Sequence, residues 1–142
     1  MKVESIIRTD RPIEQVFGYL SDFTTTTEWD PGTVRTERES GDGGVGTVYR
    51  NVSKLMGRKT ALTYTVTDLV PNERISLRGV NKTVVAQDTM TLRSVGSGTE
   101  VTYTADFEFS GFVRYLAPLL KPALTKLGND GQAGMTTALA RL

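Results

Sequence analysis

The chain has 142 residues and a formal charge of +1, with 17 Lys and Arg against 16 Asp and Glu. That length suits a single domain over residues 1–142, and charges scattered without like-signed runs leave no footprint for nucleic acid. Cysteine and histidine are absent, which excludes disulfides, thiolate and imidazole metal sites and every Ser-His-Asp or Cys-His device; neither metal nor cofactor is expected.

Residues 2–9 read as a strand with Val3, Ser5 and Ile7 on one face. They alternate and carry charge, unlike a secretory leader. Asp10 and Pro12 announce a helix, an acidic cap before a first-turn proline. Ile13, Val16, Phe17 and Leu20 recur at helical spacing, which predicts about three amphipathic turns packed on a core. The polar stretch 21–31, with Thr24, Thr25, Thr26 and Thr27 ahead of Trp29, Asp30 and Pro31, has room for a second short helix.

From 33 to 109, about six segments rich in Thr, Val, Tyr and Leu lie between turn signals. Those signals are the Gly-rich run 41–46, Gly57, Pro71-Asn72, Gly79 with Asn81, and 96–98. The 41–46 run lacks phosphate-loop spacing and precedes a strand, so it reads as a hairpin loop. Two segments alternate cleanly. Leu62, Tyr64 and Val66 oppose Thr63, Thr65 and Thr67, and Val101, Tyr103, Ala105, Phe107 and Phe109 oppose Thr102, Thr104, Asp106 and Glu108. One apolar and one wet face belongs to an antiparallel sheet. The same alternation puts Asp88 on the inner face with Met90 and Leu92, and turns Arg50 and Arg78 outward.

In 112–142 a stripe of Leu116, Leu120, Ala123, Leu124, Leu127, Gly131, Met135, Ala138 and Leu142 predicts a long helix. Arg114, Pro118, Lys121 and Pro122 interrupt its most apolar part, which falls short of the about 20 apolar residues of a membrane span. No membrane span is expected, and the cytoplasm is the expected location. The prolines predict one helical turn, a kink, and then the main helix from about Pro118. Gly128, Gly131 and Gly134 each cost about 0.8–1 kcal/mol against Ala inside a helix. Either the helix breaks near 128–130 and resumes at about Gln132, or it runs on and its small residues leave room against the sheet. Both readings remove side-chain volume from the core, which points to a cavity. The order β-α-α-β6-α predicts an α+β fold, a curved antiparallel sheet of about seven strands around a long C-terminal helix.

That order, with Thr9-Asp10-Arg11-Pro12-Ile13-Glu14-Gln15-Val16-Phe17, Leu20-Ser21-Asp22, Trp29, Pro31, Gly46, Gly57, Gly98-Thr99 and the Leu-rich terminal helix, resembles the START-like or Bet v 1-like (SRPBCC) superfamily of helix-grip proteins. Within it the chain looks most like the bacterial polyketide cyclase/dehydrase-like group. The resemblance covers essentially the whole chain. It implies a ligand cavity between sheet and helix, and relatives that include lipid carriers, plant-metabolite binders, aromatase/cyclases and co-chaperone domains. The three glycines of the terminal helix depart from the group's pattern.

The expected ligand wall comprises Trp29, Tyr49, Tyr64, Tyr103 and Phe107, with Val66, Leu77 and Met90 from the sheet and Leu120, Leu124, Leu127 and Gly131 from the helix. A tyrosine ring supplies apolar wall, and its buried hydroxyl needs a partner; hydroxyls reaching water at the sheet rim are the competing reading. Trp29 either packs under the short helix or closes a mouth of the cavity. Asp88 is the candidate catalytic group, because a carboxyl in an apolar cavity rises in pKa and can serve as a base. A place beside the Asn81-Lys82 turn would instead leave it wet. The leading functional reading is binding or transport of an apolar partner, a lipid, acyl or aromatic polyketide-like small molecule. The alternative is a cyclase/aromatase- or dehydratase-type enzyme using the same cavity through Asp88, the tyrosines or Arg50. A second alternative is a surface interaction module, which requires a filled core and an exposed apolar patch.

Overall fold

Strands joined by loops too short for a crossover can pair only with their neighbours, running antiparallel. The computed structural model, which describes residues 1–142, follows that rule throughout. β1 (Lys2–Thr9) leads to α1 (Ile13–Leu20), a 3-10 turn (Phe23–Thr25) and α2 (Thr26–Trp29). The strands β2 (Thr33–Ser40), β3 (Val48–Leu55), β4 (Arg58–Val70), β5 (Arg74–Val80), β6 (Val84–Val95) and β7 (Gly98–Phe109) follow, and α3 (Val113–Ala140) ends the chain. The sheet order is β1-β7-β6-β5-β4-β3-β2, so the meander closes on the first strand. Register shifts in the β2–β3 and β4–β5 pairs bend the sheet. The result is an α+β helix-grip fold, a curved seven-stranded sheet holding one long helix.

Local chemistry explains several turns and corrects some expectations. The β3–β4 hairpin turns on Met56 and Gly57, whose φ values of 52° and 78° match a two-residue loop with both residues left-handed. Gly79 is not part of a turn but lies inside β5 opposite Tyr64. A Cβ there would stand 2.6 Å from the Tyr64 ring, so the missing side chain is what lets the ring lie across the strand. α1 has eight residues, nearer two turns than three, and its N-cap is Pro12. Asp10 makes no capping bond because the chain turns earlier, the Arg11 N–H being accepted by the Thr9 hydroxyl at 3.3 Å.

α3 is one unbroken helix of 28 residues, with Pro118 and Pro122 inside it. It breaks neither at the prolines nor at 128–130. Each proline withholds one N–H from the helix ladder, and both face solvent, where water can satisfy the freed carbonyls. The glycines serve close approach more than open space. Gly128 faces Val3 of β1, and a Cβ at Gly134 would overlap the Trp29 carbonyl. Only Gly131 has room, with its nearest neighbours 3.9 Å from a Cβ placed there. The C-terminal half of α3 is fastened to β1 and to the loop that follows it. Gln132 Nε2 donates to the Ile6 carbonyl at 2.8 Å, Arg11 Nη2 donates to the Ala140 carbonyl at 2.8 Å, and Met135 and Leu139 are fully buried. The N-terminal half leaves Phe112 (75% exposed), Tyr115 and Leu119 at the surface. Val16 and Leu20 of α1 join Ile75, Met90, Leu92 and Val101 in a solid core at one end of the sheet's concave side.

Candidate functional site

At the other end the concave face stays open. A cavity of about 250 Å³ lies between the sheet and α3, lined by helix residues from Val113 to Met135. Its floor is set by side-chain size. Ala105 lies opposite Val3 on β1 and Asp88 on β6, where larger residues would fill the space. Phe107 and Phe109 of β7 stack at 6.2 Å along one side. Leu120, Leu124 and Leu127 form the roof, and Lys54, Leu55 and Thr83 rim the end nearest the β3–β4 and β5–β6 turns.

Of the expected wall residues, Trp29, Tyr64, Tyr103, Phe107, Leu120, Leu124, Leu127 and Gly131 line this cavity, and so does Asp88. Tyr49, Val66, Leu77 and Met90 do not reach it. They are inward-facing, as their strands' alternation requires, but belong to the solid core, each no more than 2% exposed. The periodicity that finds an inner face carries no information about which stretch of that face is covered by helix and which by empty space. Trp29 packs in the core and also forms cavity wall, its ring edge-on to Tyr103 at 5.7 Å. Arg50 and Arg78 are exposed on the outer face, so Arg50 is remote from any cavity chemistry.

Asp88 sits mid-sheet on β6, paired with Leu77 and Ala105, and is buried. The adjoining turn ends before Val84 and leaves it buried. The Tyr103 hydroxyl donates to Asp88 Oδ2 at 2.6 Å. The Tyr64 hydroxyl stands close enough to the same carboxyl to favour its charged form, yet it does not reach Oδ1, which is left with no partner. Burial pushes the Asp88 carboxyl up to about 7; the Tyr103 hydroxyl opposes the rise and the negative Asp30 adds to it. Burial, reinforced by the Asp88 charge, holds both phenols well above 10, so they stay protonated.

Asp30, in the loop after α2, is a second carboxyl on the cavity wall, where the sequence reads only as loop. Its pKa is raised by burial and by Asp130 of α3, against the Gly32 N–H and the Thr33 hydroxyl, each bound at 3.0 Å. A carboxylate held between Trp29 and Pro31 was the available signal. A polar chain also went unseen. Asn51 Nδ2 donates to Thr36 Oγ1 at 2.8 Å, Thr36 and Thr26 share a hydrogen bond at 2.6 Å, and Ser53 donates to Asn51 Oδ1 at 2.7 Å. It brings Thr26, Asn51 and Ser53 to the cavity wall. Strict alternation along β3 from Tyr49 would have placed Asn51 and Ser53 inward; the threonine contacts join separate elements and leave no local trace.

A comparison with curated protein sequences gives no match. Solved structures match closely in fold. The Zhui aromatase/cyclase from Streptomyces sp. R1128 superposes with a TM-score of 0.83 at 16% identity, over 98% of this chain and 93% of that one. A protein from Thermus thermophilus gives 0.83 at 17% identity, over 98% and 97%. A START superfamily protein from Mycobacterium smegmatis gives 0.69 at 15% identity, over 92% and 95%. At such identities the likeness is one of fold. The sequence itself matches a family model described as polyketide cyclase / dehydrase and lipid transport along residues 1–142, and the chain belongs to that family.

Proposed function

We propose that this protein binds and carries a compact apolar small molecule, ring-containing or acyl, in the space between its sheet and α3. The observation that supports this is the cavity itself, a largely apolar room with a few convergent polar groups at one wall, the common form of a small-molecule site. Its volume of about 250 Å³ falls just under the roughly 300–1,000 Å³ usual for such sites. One or two fused rings or a short acyl chain suits it; a two-tailed lipid requires α3 to move outward.

The test is native mass spectrometry of protein purified from cells, with a thermal-shift screen of acyl compounds and aromatic polyketides. A ligand at one hundred times its Kd stabilises the fold by about 2.7 kcal/mol, a shift of several degrees. Ala105→Leu, which adds side-chain volume to the cavity floor, should abolish that shift while the protein stays folded. No shift with any compound, and no retained mass, would refute the carrier reading.

A second reading has its own support, the Asp88–Tyr103 pair. A carboxyl poised near neutrality can take a proton and return it, which suits aldol closure or water loss from a polyketide-like chain folded in the cavity. On this reading Asp88 moves the proton and Tyr103 holds its carboxyl in place. Turnover unaffected by both Asp88→Asn and Tyr103→Phe removes it.

A further inference from the structure

We propose that the cavity selects ligands bearing a hydrogen-bond donor (a phenol, an alcohol or an amine) and rejects carboxylates, with Asp88 Oδ1 as the selecting atom. The inference rests on the cavity being a ligand site and adds the chemistry of what enters it.

One wall of the cavity carries few donors and acceptors, and the Tyr64 hydroxyl, the protein donor nearest Asp88 after Tyr103, does not reach its Oδ1, so a ligand donor competes with it for that atom. Tyr103 is committed, since its proton is already given to Asp88 Oδ2 at 2.6 Å. Asp30 is likewise satisfied, Oδ1 by the Gly32 N–H and Oδ2 by the Thr33 hydroxyl. Asp88 Oδ1 alone is buried without a partner, in a residue 4% exposed that lines the cavity. A buried acceptor left unpaired is costly, and a site built around such a group discriminates strongly for the ligand atom that completes it. A ligand hydroxyl or amine supplies what Oδ1 lacks.

Charge gives the second half of the selection. The ionisable groups on the wall are Asp88 from β6, Asp30 from the loop after α2, and the phenols Tyr64 from β4 and Tyr103 from β7. Asp130 of α3 adds a further negative charge close to Asp30. The one cationic lining residue, Lys54 of β3, is exposed at the rim. A ligand carboxylate therefore meets two acids and no buried cation, and like charges at close range repel most where water is excluded. The selection also depends on protonation. Since Tyr103 occupies Oδ2, a proton taken up by Asp88 goes to Oδ1 and converts the free acceptor into a donor facing the cavity. In acid the wall loses one negative charge, and carboxylates and ketones become acceptable.

The experiment uses the full chain and four bicyclic probes of one shape: naphthalene, 2-naphthol, 2-naphthylamine and 2-naphthoate, titrated by fluorescence or calorimetry at pH 8. The expected result is naphthol and naphthylamine binding at least ten-fold tighter than naphthalene, with naphthoate at least ten-fold weaker than naphthol. In Asp88→Asn the naphthol advantage over naphthoate should shrink several-fold. Where that variant folds poorly, the unchanged protein supplies the measurement. Between pH 8 and pH 5.5 naphthoate stays ionised, and the naphthol-to-naphthoate ratio should fall several-fold. Naphthalene and naphthoate binding as tightly as naphthol, or a ratio indifferent to pH, overturns the selection and leaves the cavity reading standing. Failure of all four to bind overturns both.

Discussion

The unpaired Oδ1 of Asp88 and its paired Oδ2 make this residue the most consequential titrating group in the fold. At pH 8 the folded chain must hold a charge at a buried site, whereas the unfolded chain holds it in water. The raised folded pKa means that the native state binds the extra proton between 3.8 and about 7. Stability therefore falls as pH rises through that window and levels off above it. Asp30 shifts the same way and steepens the slope. Asp88→Asn should flatten the pH dependence and raise stability at pH 8 by about 1–4 kcal/mol, each pKa unit being worth about 1.36; urea denaturation at pH 5 and pH 8 measures both. Tyr103→Phe removes the hydroxyl that favours the charged form, so Asp88 should titrate above 7 in a carboxyl ¹³C NMR titration. A downward shift would contradict the role given to that hydrogen bond.

At the level of elements, α3 separates what the sequence made legible from what it hid. From Leu120 to Met135 its apolar stripe marked the face turned to the sheet, though Leu116 of that stripe is exposed and the buried Leu139 lay outside it. The alternation of β4, β6 and β7 marked the facing wall, because burial leaves periodic traces in composition. The glycines misled, because absent side-chain volume in a sequence does not reveal whether emptiness or a neighbouring backbone fills the gap. Here a backbone fills it at Gly134 and a cavity at Gly131. The two positions should therefore answer alanine oppositely. Gly134→Ala sets a methyl group against the immobile Trp29 carbonyl and should lose about 1–3 kcal/mol of stability, even after the gain in helix propensity. Gly131→Ala meets ordinary contacts and should hold or gain up to about 1 kcal/mol. Its methyl group enters the cavity wall, so ligand affinity should drop. Denaturation midpoints with a binding titration distinguish the pair; equal losses at both sites would refute the packing account. Asp30 and the Thr26–Thr36–Asn51 chain stayed invisible for a different reason. Their meaning lies in contacts between elements, and no spacing within one element encodes those.

For the molecule as a whole, a meander that closes its last strand on its first leaves a trough, and a single helix must cover it. The helix does so unevenly. Leu139 packs with Val16 and Leu20 in the core at one end, Trp29 and Met135 stand where core meets cavity, and Leu120 and Leu124 bridge the open space. Polar ties from α3 to the rest of the fold fall at Gly128 and beyond, through Ser5, Ile6 and Arg11. Upstream, the helix lacks the N–H groups of Pro118 and Pro122 as well. α3 is thus a cantilever, clamped at its C-terminal end and overhanging a void. Whatever occupies that void is the prop beneath the overhang. Amides of 116–127 should exchange hydrogen faster than those of 132–140 in the empty protein, and slow when a guest is seated. The lifetime of the bound guest should then follow the stiffness of the overhang, so that a mutation at the clamp, far from any contact with the guest, changes how long it stays.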